Sequence, residues 1–255
     1  MFLKMSSQSY RSSEKGNVLF LILIAVALFA ALSYSVTQST RSGSGSTERE
    51  KAILSSASMT QHPTAMRTAL IRMVLGGVDV TDLKFNATAD FGSLTQAELV
   101  FHPQGGGAVS QLAPGDLMVG GENGTWFYNA SWQIPDIGTN GPSGNDIIAF
   151  LPGITQAVCR QTNTEFTIDL EQCDISNGNV PLLQTAASTH TNIPLLADDT
   201  YTFPTTTQQD IQGEDSGGTC TAFTGQPSGC FYDPDVVDPT GSAGSYVFYS
   251  VLLER

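Results

Sequence analysis

The sequence predicts an α+β protein: one long N-terminal transmembrane helix, then a disulfide-stapled, mostly antiparallel β-rich domain. Three observations carry that prediction. An uninterrupted apolar run begins at Asn17, directly after a short basic leader. Short β-prone runs separated by Gly, Pro and Asn clusters fill the chain from Val78 onward. Only 14% of residues are charged while Gly accounts for 25 positions, a turn-rich composition rather than that of a helical bundle.

Residues 1–16 form the leader. It holds Lys4, Arg11 and Lys15 against one acid, Glu14, and ends in Lys15-Gly16. The apolar stretch Asn17-Val-Leu-Phe-Leu-Ile-Leu-Ile-Ala-Val-Ala-Leu-Phe-Ala-Ala-Leu-Ser33-Tyr34 follows at once, and Arg41 is the first charge after it. A helix needs roughly 20 apolar residues to cross the hydrocarbon core of a bilayer. Only a helix satisfies its own backbone there. The transmembrane helix is therefore set at 17–38. The basic leader keeps the N-terminus cytoplasmic and sends the rest of the chain outside. A cleavable signal peptide is the rival, with weak small-residue sites around Ala30-Ala31-Leu32-Ser33.

Past the membrane, residues 39–46 are small and polar and predict a break or bend. Thr47-Glu48-Arg49-Glu50 matches a capping box, which starts a fresh extracytoplasmic helix within 39–76. Pro63 is expected to kink or restart it. Met66, Ala69, Leu70, Met73 and Val74 follow helical spacing and read as a core-facing stripe. Gly76-Gly77 is a stop. The β-rich head occupies 77–255, with strands expected at 97–101, 125–129, 146–151, 165–170 and 245–253. Trp126 and Trp132 read as core or sheet-edge aromatics rather than a sugar platform.

Beyond Lys84 only Arg160 and Arg255 oppose 19 acidic residues. Such a surface repels phosphate backbones, which argues against nucleic acid as a partner. It attracts cations or a basic protein. The four cysteines, Cys159, Cys173, Cys220 and Cys230, all lie in the exported part and read as two disulfides formed in an oxidising compartment. Three pairings are open. Local pairing, Cys159 with Cys173 and Cys220 with Cys230, is the expectation, and each short loop adds about 2.5–3 kcal/mol in the chain-entropy model. Neither pair has zinc-site spacing.

No catalytic motif is complete, and no enzyme activity is expected. His62, His102 and His190 belong to no metal-binding helix motif. Gly213-Glu-Asp215-Ser216-Gly217-Gly218 echoes a serine-protease nucleophile loop, but the inserted Glu214 and the position of His190 break the pattern, and a turn explains it. Asp233, Asp235 and Asp238 fall within six residues of a Pro- and Gly-bent segment, hard oxygen ligands that suit a structural Ca²⁺. Asp210, Glu214 and Asp215 form a weaker cluster.

A short basic leader ending in Lys-Gly and joined directly to a long apolar helix resembles the class III prepilin leader of the type IV pilins and type II secretion pseudopilins. The resemblance is close over residues 11–41 and only architectural beyond. It implies cutting by a prepilin peptidase on the cytoplasmic side, between Gly16 and Asn17, with methylation of the new N-terminus. It further implies assembly with other pilin or pseudopilin subunits at the bacterial inner membrane, and a pilin-like head in the periplasm or in an extracellular filament. In that family a disulfide commonly staples the C-terminal region, where Cys220 and Cys230 lie. Two positions depart from the pattern. The residue after the cut is Asn17 rather than Phe or Met, and the fifth residue of the mature chain is Leu21 rather than Glu. That Glu neutralises a neighbouring subunit's N-terminal amine in the family, so its loss points to a minor, tip-like subunit. A single-pass anchored ectodomain that does not polymerise is the alternative.

Overall fold

A computed structural model of the chain describes residues 17–86, 91–92, 94–139, 145–168, 183–184, 209–215, 218–237 and 243–255. Helix α1 runs Asn17–Leu75 as a single element, with Pro63 inside it. The break expected at 39–46 is absent, and the helix does not start afresh at Glu48. Each Gly in a helix interior costs only about 1 kcal/mol. Propensity of that size yields to helix on both sides, and a capping box has no free amides to satisfy where no terminus exists. The chain divides into two compact units between Glu50 and Lys51. The second unit takes in the C-terminal part of α1 together with the sheet.

The stop at Gly76-Gly77 is present. Gly77 adopts φ 96°. Its N–H donates to the Val74 carbonyl at 3.0 Å, and the Val78 N–H donates to the Met73 carbonyl at 3.1 Å. These two bonds make a Schellman motif, which needs a left-handed residue at this point. A short 3₁₀ turn, Val80–Asp82, follows, with the Asp79 side chain accepting from the Thr81 N–H.

The strand expected at 97–101 is instead a 3₁₀ turn, Gln96–Glu98, and an isolated bridge between Lys84 and Leu99. Leu99, Val100 and Phe101 are apolar because they are buried, not because they sit in a ladder. Gly106 seals this segment: a Cβ there would strike the Val100 carbonyl and the Met73 sulfur.

The main sheet has five strands: β1 (Phe127–Gln133), β2 (Asp146–Ile154), β4 (Gln209–Asp210), β7 (Ser228–Val237) and β8 (Ala243–Leu253). Their spatial order is β4-β1-β2-β8-β7, and every pairing is antiparallel except β1 with β4. Strands β3 (Leu183–Gln184), β5 (Gln212–Asp215) and β6 (Gly218–Cys220) form a small second sheet. All nine residues of β2 are buried. Ile147, Ala149 and Leu151 join one core cluster, while Ile148 and Phe150 join another. The period-2 alternation of a strand thus puts apolar side chains on both faces, so both faces are covered. Met59, Met66, Leu70 and Met73 of α1 fill the first cluster; Ile134, Ile211 and Phe223 fill the second.

Over 165–168 the strand expected at 165–170 is also replaced, and 169–170 lie outside the described residues. Helix α2 (Gln156–Glu165) starts at the N-cap Thr155, whose hydroxyl accepts from the Val158 N–H, and ends at Phe166. Thr167 then takes φ 54°, a left-handed turn that no strand interior allows. Thus the chain is α+β with a mostly antiparallel sheet, and one of its disulfides joins α2 to β7.

Candidate functional site

Two surfaces of α1 concern function: the uncovered N-terminal span and the face that docks in the head. The span Val18–Thr37 is long and apolar enough to cross a membrane. At 1.5 Å per residue it covers about 30 Å, the thickness of a bilayer's hydrocarbon core. No part of it is covered: Leu21 is 59% exposed and Phe29 78%. The Thr37 hydroxyl donates to the Ser33 carbonyl at 2.7 Å, so its proton is satisfied within the helix. The helix is described from Asn17 onward. Gly16 lies outside the described residues.

From Ser55 onward one face of α1 is buried. Its first half is polar. The Ser55 hydroxyl donates to Asp116 Oδ2 at 3.3 Å, and the Ser56 hydroxyl donates to Glu165 Oε2 at 2.6 Å. His62 Nε2 meets the Tyr128 hydroxyl at 2.9 Å, with both rings buried. The imidazole lies 5.0 Å from the Trp126 ring, and Tyr128 stacks on Phe85 at 4.6 Å. Burial penalises charge on these groups, lowering the His62 pKa to about 4 and raising that of Tyr128. His62 is therefore neutral at physiological pH. The second half is apolar: Met66, Ala69, Leu70 and Met73 are buried, which bears out their reading as core. Trp126 and Trp132 are likewise buried core aromatics, at 7% and 4% exposure.

An open groove of about 360 Å³ runs between this helix and the glycine segment, lined by His62, Met66, Ala69, Arg72, Gly106 and Val109 among others. The Arg72 guanidinium donates to the Gly106 carbonyl across it. Further along, Arg67 pairs with Glu254 at 2.9 Å on the surface.

The cysteines are paired differently from the local scheme. Cys159 of α2 is bonded to Cys230 of β7, 71 residues away, with both sulfurs buried. This excludes both Cys159–Cys173 and Cys220–Cys230. Cys220 is also in a disulfide. Cys173 lies outside the described residues. Helix α2 is what brings Cys159 to Cys230, and the spacing of the cysteines does not announce that helix. A loop of this length gives about 4 kcal/mol in the chain-entropy model, more than the short loops would.

The acidic segment is also corrected. The expected irregular loop at 233–238 is strand β7 through Val237. Asp233 is 3% exposed and pairs in register with Ser245. Asp235 is in the same strand, and Asp238 lies outside the described residues. Among the described residues no three His, Cys, Asp or Glu side chains gather as a metal site. Asp210 lies in β4 and Glu214 and Asp215 in β5. On either side of the protease-like segment's Ser216-Gly217, β5 and β6 pair antiparallel with Asp215 opposite Gly218. Ser216 and His190 lie outside the described residues.

The sequence does not announce the burial of three polar residues plainly. His62 falls on the same helical stripe as Met59, Met66 and Met73, a spacing that does announce burial. Asp146, at the start of β2, is fully buried, accepting from the Ile134 N–H at 3.1 Å and the Arg255 N–H at 3.4 Å. Burial raises its pKa to about 6, against the pull of those two bonds. Asn163 bonds the Cys230 backbone, and nothing local in the sequence marks it. No known family model, curated protein or solved structure matches the chain.

Proposed function

We propose that this chain is a minor pilin or pseudopilin-like subunit of a type IV pilus or type II secretion filament. The observation that carries the reading is α1. One helix, described from Asn17 onward, has an uncovered apolar span next in sequence to Lys15-Gly16 and ends with a face buried in a β-rich head. A prepilin peptidase cuts between Gly16 and Asn17. The span Val18–Thr37 then holds the subunit in the bacterial inner membrane, with the N-terminus on the cytoplasmic side and the head outside. Leu21, apolar and 59% exposed, favours a tip-like member over a repeating one. A buried amine without a carboxylate partner is costly, and repetition would multiply that cost. The role is assembly, with other subunits as partners, and not catalysis.

Asn17 and Leu21 also keep a second reading in play, a single-pass anchored ectodomain that binds a ligand or surface without polymerising. Intact mass and N-terminal sequencing of the protein from its native membranes separate the two. A chain starting at Asn17, with or without N-methylation, supports the pilin reading; a chain starting at Met1 supports the anchor. A start beyond Tyr34 overturns both in favour of a secreted head. Replacing Gly16 with Trp is expected to abolish processing, and mature-sized protein from that variant would sink the pilin reading.

A further inference from the structure

Strand β7 closes one side of the five-stranded sheet, so among the described residues its outer backbone edge has no strand partner in that sheet. Such an edge is a template for adding another strand. At Cys230 the edge is blocked from a single helix. The Cys230 N–H donates to Asn163 Oδ1 at 2.8 Å, and Asn163 Nδ2 donates to the Cys230 carbonyl at 2.8 Å. These are the two bonds that a neighbouring strand would make to that residue. Cys159, one turn earlier on α2, is joined covalently to the same Cys230. Cys159, Asn163 and Cys230 are all at most 1% exposed, so water does not compete for these groups.

We propose that Cys159–Cys230 and Asn163 form a redox-set latch that holds α2 over the outer edge of β7. It is closed when the cystine is formed and open when both thiols are free. Helix α2 has ten residues, below the length at which a helix persists by itself in water. It buries only Val158, Cys159, Thr162 and Asn163. With the sulfur–sulfur bond cut, the amide pair must hold the helix against fraying, and edge and helix open together. Closing is thiol–disulfide exchange. A disulfide donor in an oxidising compartment accepts two electrons and two protons and becomes a dithiol, while Cys159 and Cys230 become the cystine. The edge is therefore covered only after the chain reaches that compartment. This inference is independent of whether the subunit polymerises.

Amide exchange in the detergent-solubilised full chain tests the latch. The Cys159→Ala/Cys230→Ala variant removes this cystine and leaves the bond at Cys220. Exchange at position 230 and across 156–165 is expected to speed up about thirtyfold, the lower end of what a cystine contributes, while β2 and β8 keep their protection. In Asn163→Ala, position 230 is expected to exchange faster while α2, still tied by the cystine, stays protected. If the variant fails to fold, the Cys173→Ala/Cys220→Ala protein, which keeps Cys159–Cys230, is read before and after dithiothreitol, which is oxidised to its cyclic disulfide as that cystine opens. Unchanged exchange at 230 and α2 overturns the proposal. So does acceleration spread equally over β2 and β8, which would make the cystine a brace of the whole sheet.

Discussion

Helix α1 contains two apolar stretches in opposite situations. From Val18 to Leu32 every side chain is apolar, and all of them are exposed. From Met59 to Met73 the apolar residues recur at helical spacing, and that stripe is buried. The contrast lies in pattern rather than in hydrophobic content. A helix apolar on every face finds no single partner surface and needs an apolar medium around it. A stripe presents one face, and a sheet can cover it. The docked face also includes Ser55, Ser56 and His62, each bonded to the head.

The sharpest way to break this contrast is to cut the same side chain in both stretches. Leu70 is fully buried and Leu28 is 64% exposed. Leu70→Ala is expected to cost the head about 2–5 kcal/mol. Leu28→Ala should leave the head within about 0.5 kcal/mol of the parent. Thermal unfolding in detergent, followed by near-UV circular dichroism, reads both; equal losses would end the distinction. A charge sharpens it further. Leu28→Arg places a guanidinium near the middle of the span, at about 3 kcal/mol against insertion. The fraction resisting alkaline carbonate extraction should fall while the head's melting temperature holds.

How far the sequence could be read follows the same division. The uniform run at 17–38 and the strands β1, β2 and β8 were legible because each is a local pattern of apolar residues. The stop at Gly77 was legible because its left-handed backbone asks for glycine. Continuity through 39–46 was not, since a helix with helix on either side outweighs small residues. Helix α2 was hidden because its buried face is only Val158, Cys159, Thr162 and Asn163, half of it polar by type, which makes no apolar stripe in the sequence. With α2 hidden, the pairing of Cys159 with Cys230 was unreadable. Strand β7 was hidden because Asp233 and Pro234 look like loop. Yet Asp233 is buried opposite Ser245, and an outer strand tolerates proline.

A smaller effect concerns pH, where two buried groups of the head oppose each other. His62 has its folded pKa lowered from 6.5 to about 4. Between those values the unfolded chain takes up the proton first, so the head loses stability as pH falls from 6.5 towards 4. Asp146 has its folded pKa raised from 3.8 to about 6. There the folded chain takes up the proton first, so the head gains stability as pH falls from about 6 towards 3.8. Each shift is worth at most about 3 kcal/mol, and the two nearly cancel. Urea midpoints are therefore expected to be almost flat over this range in the parent. His62→Gln, which keeps a partner for Tyr128, should make the head more stable as pH falls. Asp146→Asn should make it less stable. If both variants follow the parent curve, neither group titrates as its burial demands.

The smallest expected effect tests where the docked stretch ends. A Cβ on Gly77 would meet nothing within 4 Å, so Gly77→Ala probes the backbone alone. At φ 96° an L-residue is strained, by about 1 kcal/mol. Asn tolerates the left-handed region better, so Gly77→Asn should lose about half as much. Both losses should appear in the head's melting temperature, because the Val78 N–H closes this turn onto the Met73 carbonyl and Met73 is core. If Gly77→Ala costs nothing, α1 is free to run on past Leu75, and the turn is not what fixes the buried stripe against the sheet.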